Sequence, residues 1–205
     1  MKIIGLAGGT GCGKTTVSLY LQSLGFPVFD AGAVNRAAVK KGSACLCQMV
    51  ELWGTVCMLP NGEPDRRWIA EMVFRNRRML QQFEQILQNH VHEEELRFLE
   101  EQKNQGAAVV FLDLPLMIET GWYRDMDSVW LIAVPRDIQI KRALQRDKDI
   151  QNTVLPRINA QIPLADAKKI ADVIIDNSGT LEHTKAQIRE ELKKMNLPVP
   201  SLSME

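Results

Sequence analysis

The run GGTGCGKTT, residues 8–16, concentrates the residue types that handle phosphate. It contains G-x-x-x-x-G-K-T, from Gly8 through Gly13 to Lys14 and Thr15. A loop surrounds phosphate oxygens by turning successive backbone N–H groups inward, and glycines tolerate the conformations this needs. A helix that starts at such a loop points its positive end at the same oxygens. At this spacing the Lys14 ammonium reaches the β- and γ-phosphates of a nucleotide, and the Thr15 hydroxyl suits Mg²⁺. The pattern speaks for nucleoside triphosphate binding and leaves open what is done with the triphosphate. Cys12 stands inside the loop at a small-residue position. An accessible thiol there would let oxidation or alkylation interfere with ATP.

Other residues add charge where phosphate chemistry needs it. VVFLD, Val109–Asp113, is four apolar residues and then an acid. Beside a phosphate-binding loop such an acid holds Mg²⁺, usually through water; the plainer alternative is an aspartate capping a turn. FPVFD, residues 26–30, also ends on an acid, Asp30, and is followed by Ala31 and the bare backbone of Gly32. KRALQRD, residues 141–147, places Arg142 and Arg146 four apart on one helical face. Two guanidinium groups at that spacing can clamp a transferring phosphate and shield it from water, whereas a basic helix face without a phosphate site is merely solvated. Arg66, Arg67, Arg75, Arg77 and Arg78 crowd one segment. They read either as a solvated face or as a docking surface for a phosphorylated acceptor.

Positioning these groups requires strands that end together at one sheet edge. KIIGLAG (2–8), FPVFD, GAAVVFLD (106–113), DSVWLIAV (127–134) and ADVIID (171–176) read as short buried strands. KTTVSLYLQSLG (14–25) has helical spacing and a glycine stop at Gly25. Residues 33–54 read as mostly helical. Asp65 is expected to cap a helix, and residues 66–103 to be helical almost throughout. Pro135 opens the next helix and residues 178–195 form the closing one, before a loose tail at 198–205. Strands alternating with helices imply an α/β fold with a mostly parallel sheet covered on both faces. The helical stretch 37–105 reads as an insertion on that core.

The bulk composition fits. A chain of 205 residues can bury one full core and carry a small inserted subdomain. Lys+Arg and Asp+Glu balance at 25 each, which argues against a nucleic-acid partner. No apolar run reaches the length of a membrane span, and MKIIGLAGG is too short for a signal peptide. Four cysteines without C-x-x-C spacing point to a reducing cytoplasm rather than to zinc or a disulfide scaffold. His90, His92 and His183 are too scattered for a metal site.

Several segments in the right order resemble the dephospho-CoA kinase family over nearly the whole chain. They are IIGLAGGTGCGKTTVSLYLQSLGFPVFDA, NGEPDRRWIAEMVF, LDLPLMIETG (with Pro115, Leu116 and Glu119 in place), RALQRD and INAQIPLADAKKIADVIIDNSGTLE. The resemblance implies a P-loop NTPase domain over residues 1–205: a three-layer α/β/α core with a five-stranded parallel sheet, an acceptor (CoA) subdomain at 37–105 and a lid at 140–165. It implies transfer of the ATP γ-phosphate to the ribose 3′-hydroxyl of dephospho-CoA, with Mg²⁺, by a cytoplasmic monomer or weak homo-oligomer. Gly11, Cys12, Gly13, Lys14, Thr15 and Thr16 would then bind ATP and Mg²⁺, with Asp113 as the second metal residue. Arg142 and Arg146 would close over the phosphates, and Asn177 to Gly179 would lie near the adenine. Arg36, Asp65, Arg66, Phe74, Pro115 and Glu119 would serve the acceptor.

Two markers depart from that family. Its D-A-D triplet after the second strand reads Asp30-Ala31-Gly32, so the acid taken as the base for the acceptor hydroxyl is a glycine. Its His-Pro pair corresponds to Gln88 and Asn89. General-base assistance is worth roughly 10²–10⁴-fold, and phosphoryl transfer depends mostly on positioning and electrostatics. A kinase without this acid is therefore expected to be slow rather than dead, and Asp30 and Asp113 are the nearest substitutes, with Asp30 favoured because Asp113 is the Mg²⁺ candidate. The alternatives are a kinase for another small hydroxyl acceptor and a catalytically weakened ATP-binding homologue.

Overall fold

The computed structural model describes residues 1–146 and 151–197, apart from the side chains of Phe74 and residues 151–153. The expected tail at 198–205 and residues 147–150 of the expected lid lie outside the described residues. The chain divides into two compact units, Met1–Asp30 with Gln102–Glu205, and Ala31–Glu101.

The first unit is an α/β layer structure. Its strands are β1 (Lys2–Ala7), β2 (Val28–Asp30), β3 (Val109–Asp113), β4 (Ser128–Ala133) and β5 (Val173–Asp176). They form one five-stranded sheet in the order β2-β3-β1-β4-β5, with every pair parallel. Side chains alternate across a strand, and the two faces are distinct. Ile4, Leu6, Val109, Phe111, Trp130, Ile132 and Ile175 share a buried cluster with Val17, Tyr20 and Leu21 of helix α1 (Lys14–Ser23). Ile188 and Leu192 of the last helix, Leu181–Lys194, complete that cluster. Phe111 anchors it, meeting Phe26 and Trp130 edge-on at 5.8 and 5.4 Å. On the opposite face Gly5 lies under Met117 and Met126: a β-carbon on it would stand 2.5 Å from the Met117 sulfur. β1 is central: the chain leaves it for β2 at one edge, returns to β3, and then crosses past β1 to β4 on the other side. In open parallel sheets ligands bind outside the carboxyl ends of the strands at such a point.

The second unit is helical. It holds α2 (Ala31–Ala38), α3 (Ala44–Trp53), α4 (Arg66–Arg75) and most of α5 (Arg77–Asn104). It begins at Ala31, earlier than the expected 37, because α2 follows β2 with no intervening loop. Its core joins Ala38, Cys45, Met49, Cys57, Ile69, Val73 and Ile86, flanked by Trp53, Trp68 and Phe83. Ser43 caps α3 through the Leu46 N–H, and Asp65 caps α4 through the Trp68 N–H at 2.9 Å. The helix expected over 66–103 is two helices. Asn76 ends α4, and its side-chain oxygen accepts from the Arg78 and Met79 N–H groups that open α5. No glycine or proline marks this break, so helical periodicity alone runs through it. α5 runs as one helix of 28 residues through Gln88 and Asn89, where the family resemblance would place a His-Pro pair. A proline there would remove a backbone donor and crowd the preceding turn.

The rest of the first unit follows β4: α6 (Arg136–Arg146), α7 (Gln151–Asn159), α8 (Leu164–Ile170) and, after β5, α9 (Leu181–Lys194). Pro135 immediately precedes α6, and its carbonyl accepts the Gln139 N–H. Ala143, Val154 and Ile158 form a small core between α6 and α7.

Candidate active site

The loop between β1 and α1 is built from close approaches, with the shape a phosphate cradle requires. Gly13 sits at φ 92° at the start of α1, and a β-carbon on it would lie 2.1 Å from the Asn177 amide nitrogen. Gly11, at φ 81°, would meet the Gln139 carbonyl of α6 at 2.5 Å. Both positions combine a left-handed backbone with no room for a side chain, which only glycine accommodates. Lys14 Nζ reaches back to donate to the Gly8 carbonyl at 2.7 Å, so the ammonium lies across the mouth of the loop. Thr15 and Thr16 are exposed on the first turn of α1. Exposed hydroxyls, a fixed cation and a helix N-terminus behind a glycine cradle are complementary to a triphosphate.

Cys12 is 2% exposed. Burial pushes its thiol above the ordinary value, against the smaller opposing pull of the Lys14 charge. The accessible thiol considered from sequence is therefore absent. Cys12 is a packed, protonated small residue.

Asp113 ends β3 and is buried, and its Oδ2 accepts from Ser18 Oγ at 3.0 Å. Ser18 lies one turn beyond Thr15 on α1, so the helix that carries the Thr15 hydroxyl also secures the carboxylate. Asp30 ends β2 in direct register with Asp113. Strand neighbours lie about 4.8 Å apart, and residues paired in register point to the same face. The two acids therefore stand side by side at the carboxyl edge of the sheet. No group of three or more His, Cys, Asp or Glu that could enclose a metal occurs among the described residues. Mg²⁺ commonly binds through one or two protein oxygens, completing its shell with phosphate and water. One hydroxyl and one carboxylate fit that mode.

The turn after β5 closes the other side of the loop. The Asp176 carboxylate is held below its ordinary pKa first by the Ser178 hydroxyl and then by the Ser178 N–H, from which it accepts at 2.9 Å. Gln187 of α9 receives the Asp176 N–H and donates to its carbonyl. Gly179 follows in the exposed turn, and Thr180 caps α9. Arg142 Nη1 donates to the Asn177 carbonyl at 2.8 Å. Arg146 is exposed one turn further along α6.

A cavity of about 390 Å³ opens beside Gly8 and Gly9, bounded by Met117, Glu119, Gln161 and Leu164. Its polar edge is organised. Glu119 Oε1 accepts the Ile162 N–H at 2.9 Å, and Gln161 Oε1 accepts the Thr10 N–H at 2.9 Å. Pro115 is exposed in the same post-β3 segment, next to Leu116, a non-glycine residue at φ 54°. Backbone in this sparsely populated region is typical of functional turns.

The chain matches the dephospho-CoA kinase family model over residues 2–183. It belongs to the dephospho-CoA kinase family. It is 36% identical to the dephospho-CoA kinase of Carboxydothermus hydrogenoformans, over 95% of this chain and 94% of that one. It is 37% identical to that of Geobacillus kaustophilus, over 93% and 95%. A solved structure from Thermus thermophilus superposes with a TM-score of 0.75 at 30% identity, covering 95% of this chain and 97% of that one. The dephospho-CoA kinase of Campylobacter jejuni gives 0.69 at 24% identity over 96% and 100%, a likeness of fold. The fold is that of a P-loop kinase, as expected from the sequence.

Within this family the sequence-derived candidates separate by unit. Gly11 to Thr16, Asp30, Asp113, Pro115, Glu119, Arg142, Arg146, Asn177 and Gly179 belong to the α/β unit. Arg36, Asp65, Arg66 and Phe74 belong to the helical unit. There Asp65 has a capping job, and Arg66 donates to the Val39 carbonyl at 2.7 Å. Phe74 lies in α4, and its side chain is outside the described ones. Sequence reasoning missed Ser18, which secures Asp113; Gln139, which closes on Gly9 and Gly11; and Thr184, which holds Asn177. Ser18 carries the one legible signal, since it sits three residues after Thr15 on the same helical face.

Proposed function

We propose that this member of the dephospho-CoA kinase family transfers the γ-phosphoryl group of ATP to the ribose 3′-hydroxyl of dephospho-CoA, giving coenzyme A and ADP. The observation that carries the chemistry is the pairing of a complete phosphate cradle with two carboxylates in register beside it. Lys14 and the N–H groups of the loop hold the β- and γ-phosphates. Thr15 and Asp113 are the residues that would hold Mg²⁺. That ion neutralises charge on the β- and γ-oxygens when bound. Asp30, next to Asp113, receives the proton of the acceptor hydroxyl, in place of the acid that Gly32 lacks. Arg142 and Arg146 offset charge on the transferring group. The cavity bounded by Glu119 and Gln161 lies within the usual 300–1,000 Å³ range of ligand pockets, which supports acceptor binding beside the loop. Arg36, Asp65, Arg66 and Phe74 are assigned to the acceptor by family resemblance.

The absence of an acid at position 32 favours one second reading, a kinase for a different small hydroxyl acceptor. Incubation with Mg-ATP and dephospho-CoA, followed by mass detection of CoA and ADP, separates the two. CoA formation is the expected result, and ADP formed only with another alcohol would replace it. Asp30→Asn should lower kcat by about 10²–10⁴-fold with little change in ATP affinity. Adding Gly32→Asp to that variant should recover part of the loss. Wild-type turnover by Asp30→Asn would remove Asp30 from the base role.

A further inference from the structure

Asn177 lies where family resemblance places the adenine, yet its side chain is consumed within the protein. It is 7% exposed. Its Nδ2 donates to the Cys12 carbonyl at 2.7 Å, and its Oδ1 accepts from Thr184 Oγ1 at 2.8 Å. Both partners are buried, Cys12 at 2% and Thr184 at 1% exposure. The chemistry fixes the orientation of the amide. A carbonyl only accepts, so the NH₂ end must face Cys12 and the oxygen must face the hydroxyl. The backbone carbonyl of the same residue takes Arg142. One residue thus ties together the phosphate loop, α9 and the arginine-bearing helix α6.

The tie acts on the part of the loop that matters. A loop that turns N–H groups toward phosphate turns carbonyls outward, and a buried outward carbonyl needs a donor. Cys12 precedes Gly13 and Lys14, and the Asn177 amide fills the space that a side chain on Gly13 would occupy. The amide therefore sets how far the loop can relax away from the start of α1.

We propose that Asn177 is a positioning residue. Its side chain, locked by Thr184, braces the phosphate loop through the Cys12 carbonyl and does not read the adenine. The inference rests on the reading of residues 8–16 as the ATP phosphate site. It is indifferent to the acceptor, so loss of activity with dephospho-CoA alone would not touch it.

The test compares affinities for ATP, GTP and inorganic tripolyphosphate by calorimetry, alongside kcat and KM for ATP. Asn177→Asp replaces the donor with an oxygen facing the Cys12 carbonyl. It should weaken all three ligands by the same factor, up to about 10²-fold, the scale of leaving a buried carbonyl without its donor. Thr184→Val lies one residue further from the ligand. It frees the amide and should weaken all three by about tenfold, with the ATP-to-GTP ratio unchanged. Thr184→Ser should recover most of that loss. Should Asn177→Asp fail to fold, the Thr184 pair carries the comparison. A loss for ATP that spares tripolyphosphate, or a changed ATP-to-GTP ratio, would show that Asn177 reads the base and overturn the proposal. Wild-type affinities in Thr184→Val would overturn it equally.

Discussion

Gly11→Ala measures how closely α6 is seated on the phosphate loop. The added methyl faces two separate costs. The first is backbone strain, because Gly11 lies at φ 81°, and an alanine there costs about 1–2 kcal/mol. The second is a collision with the Gln139 carbonyl oxygen at 2.5 Å and with Ala143 at 3.2 Å. A carbon–oxygen contact is comfortable from about 3.3 Å, so the helix must withdraw by about 0.8 Å. Backbone cannot rotate out of the way as a side chain can. Forcing a methyl into packed structure costs about 1–3 kcal/mol, for a total of about 2–5 kcal/mol. For a chain of this size each kcal/mol lowers Tm by about 2–4 °C. Gly25→Ala isolates the first cost, since Gly25 is at φ 84° with nothing within 4 Å of the new carbon. Its expected loss is the strain alone, about 1–2 kcal/mol. Because α6 carries Arg142 and Arg146, its withdrawal from the loop should also cut phosphoryl transfer by about 10²-fold, an effect Gly25→Ala should not share. Thermal unfolding and steady-state kinetics of the two variants give both readouts. Equal Tm and equal turnover in the two would refute the close seating of α6 on the loop.

Lys14→Ala should reduce transfer by at least about 10²–10³-fold with the fold intact by circular dichroism, since it removes a preorganised cation from the loop mouth. Under native alkylation followed by peptide mass mapping, exposed Cys47 should react first. Cys12, Cys45 and Cys57 should be modified only on unfolding, because burial keeps those thiols protonated. The same shifts set a pH dependence. A thiol whose folded pKa is raised contributes its full stabilisation below the ordinary value of 9.0 and loses it as pH rises through the folded value. Urea midpoints should therefore fall between pH 8 and 10 (about a one-to-two-unit window around the ordinary thiol value), and Cys12→Ala should reduce that slope.

Much of the site was legible because its signals are local. The loop from Gly8 to Thr15 is a contiguous pattern whose chemistry follows from spacing, and Asp113 follows four apolar strand residues. Asp65 precedes a helix with the side chain that caps one, and it caps α4. The break at Asn76 was hidden because capping by an asparagine inside a charged helical run leaves the apolar period intact. Gln139 and Thr184 look like ordinary helix-surface polar residues until the partner segment is known.

Taken alone, the sequence determined the glycine-rich loop pattern from Gly8 to Thr15 and the alternation of strands and helices. Spacing along the chain encodes each of these. Only the tertiary structure decided which distant residues meet. Ser18 and Asp113 are 95 residues apart, Arg142 and Asn177 are 35 apart, and Asn177 and Cys12 are 165 apart. The register that sets Asp30 beside Asp113 depends on β2 and β3 pairing across the whole helical unit. Such meetings follow from strand order and from how helices seat on the sheet, because a side chain can satisfy a buried carbonyl only once packing has brought the two together.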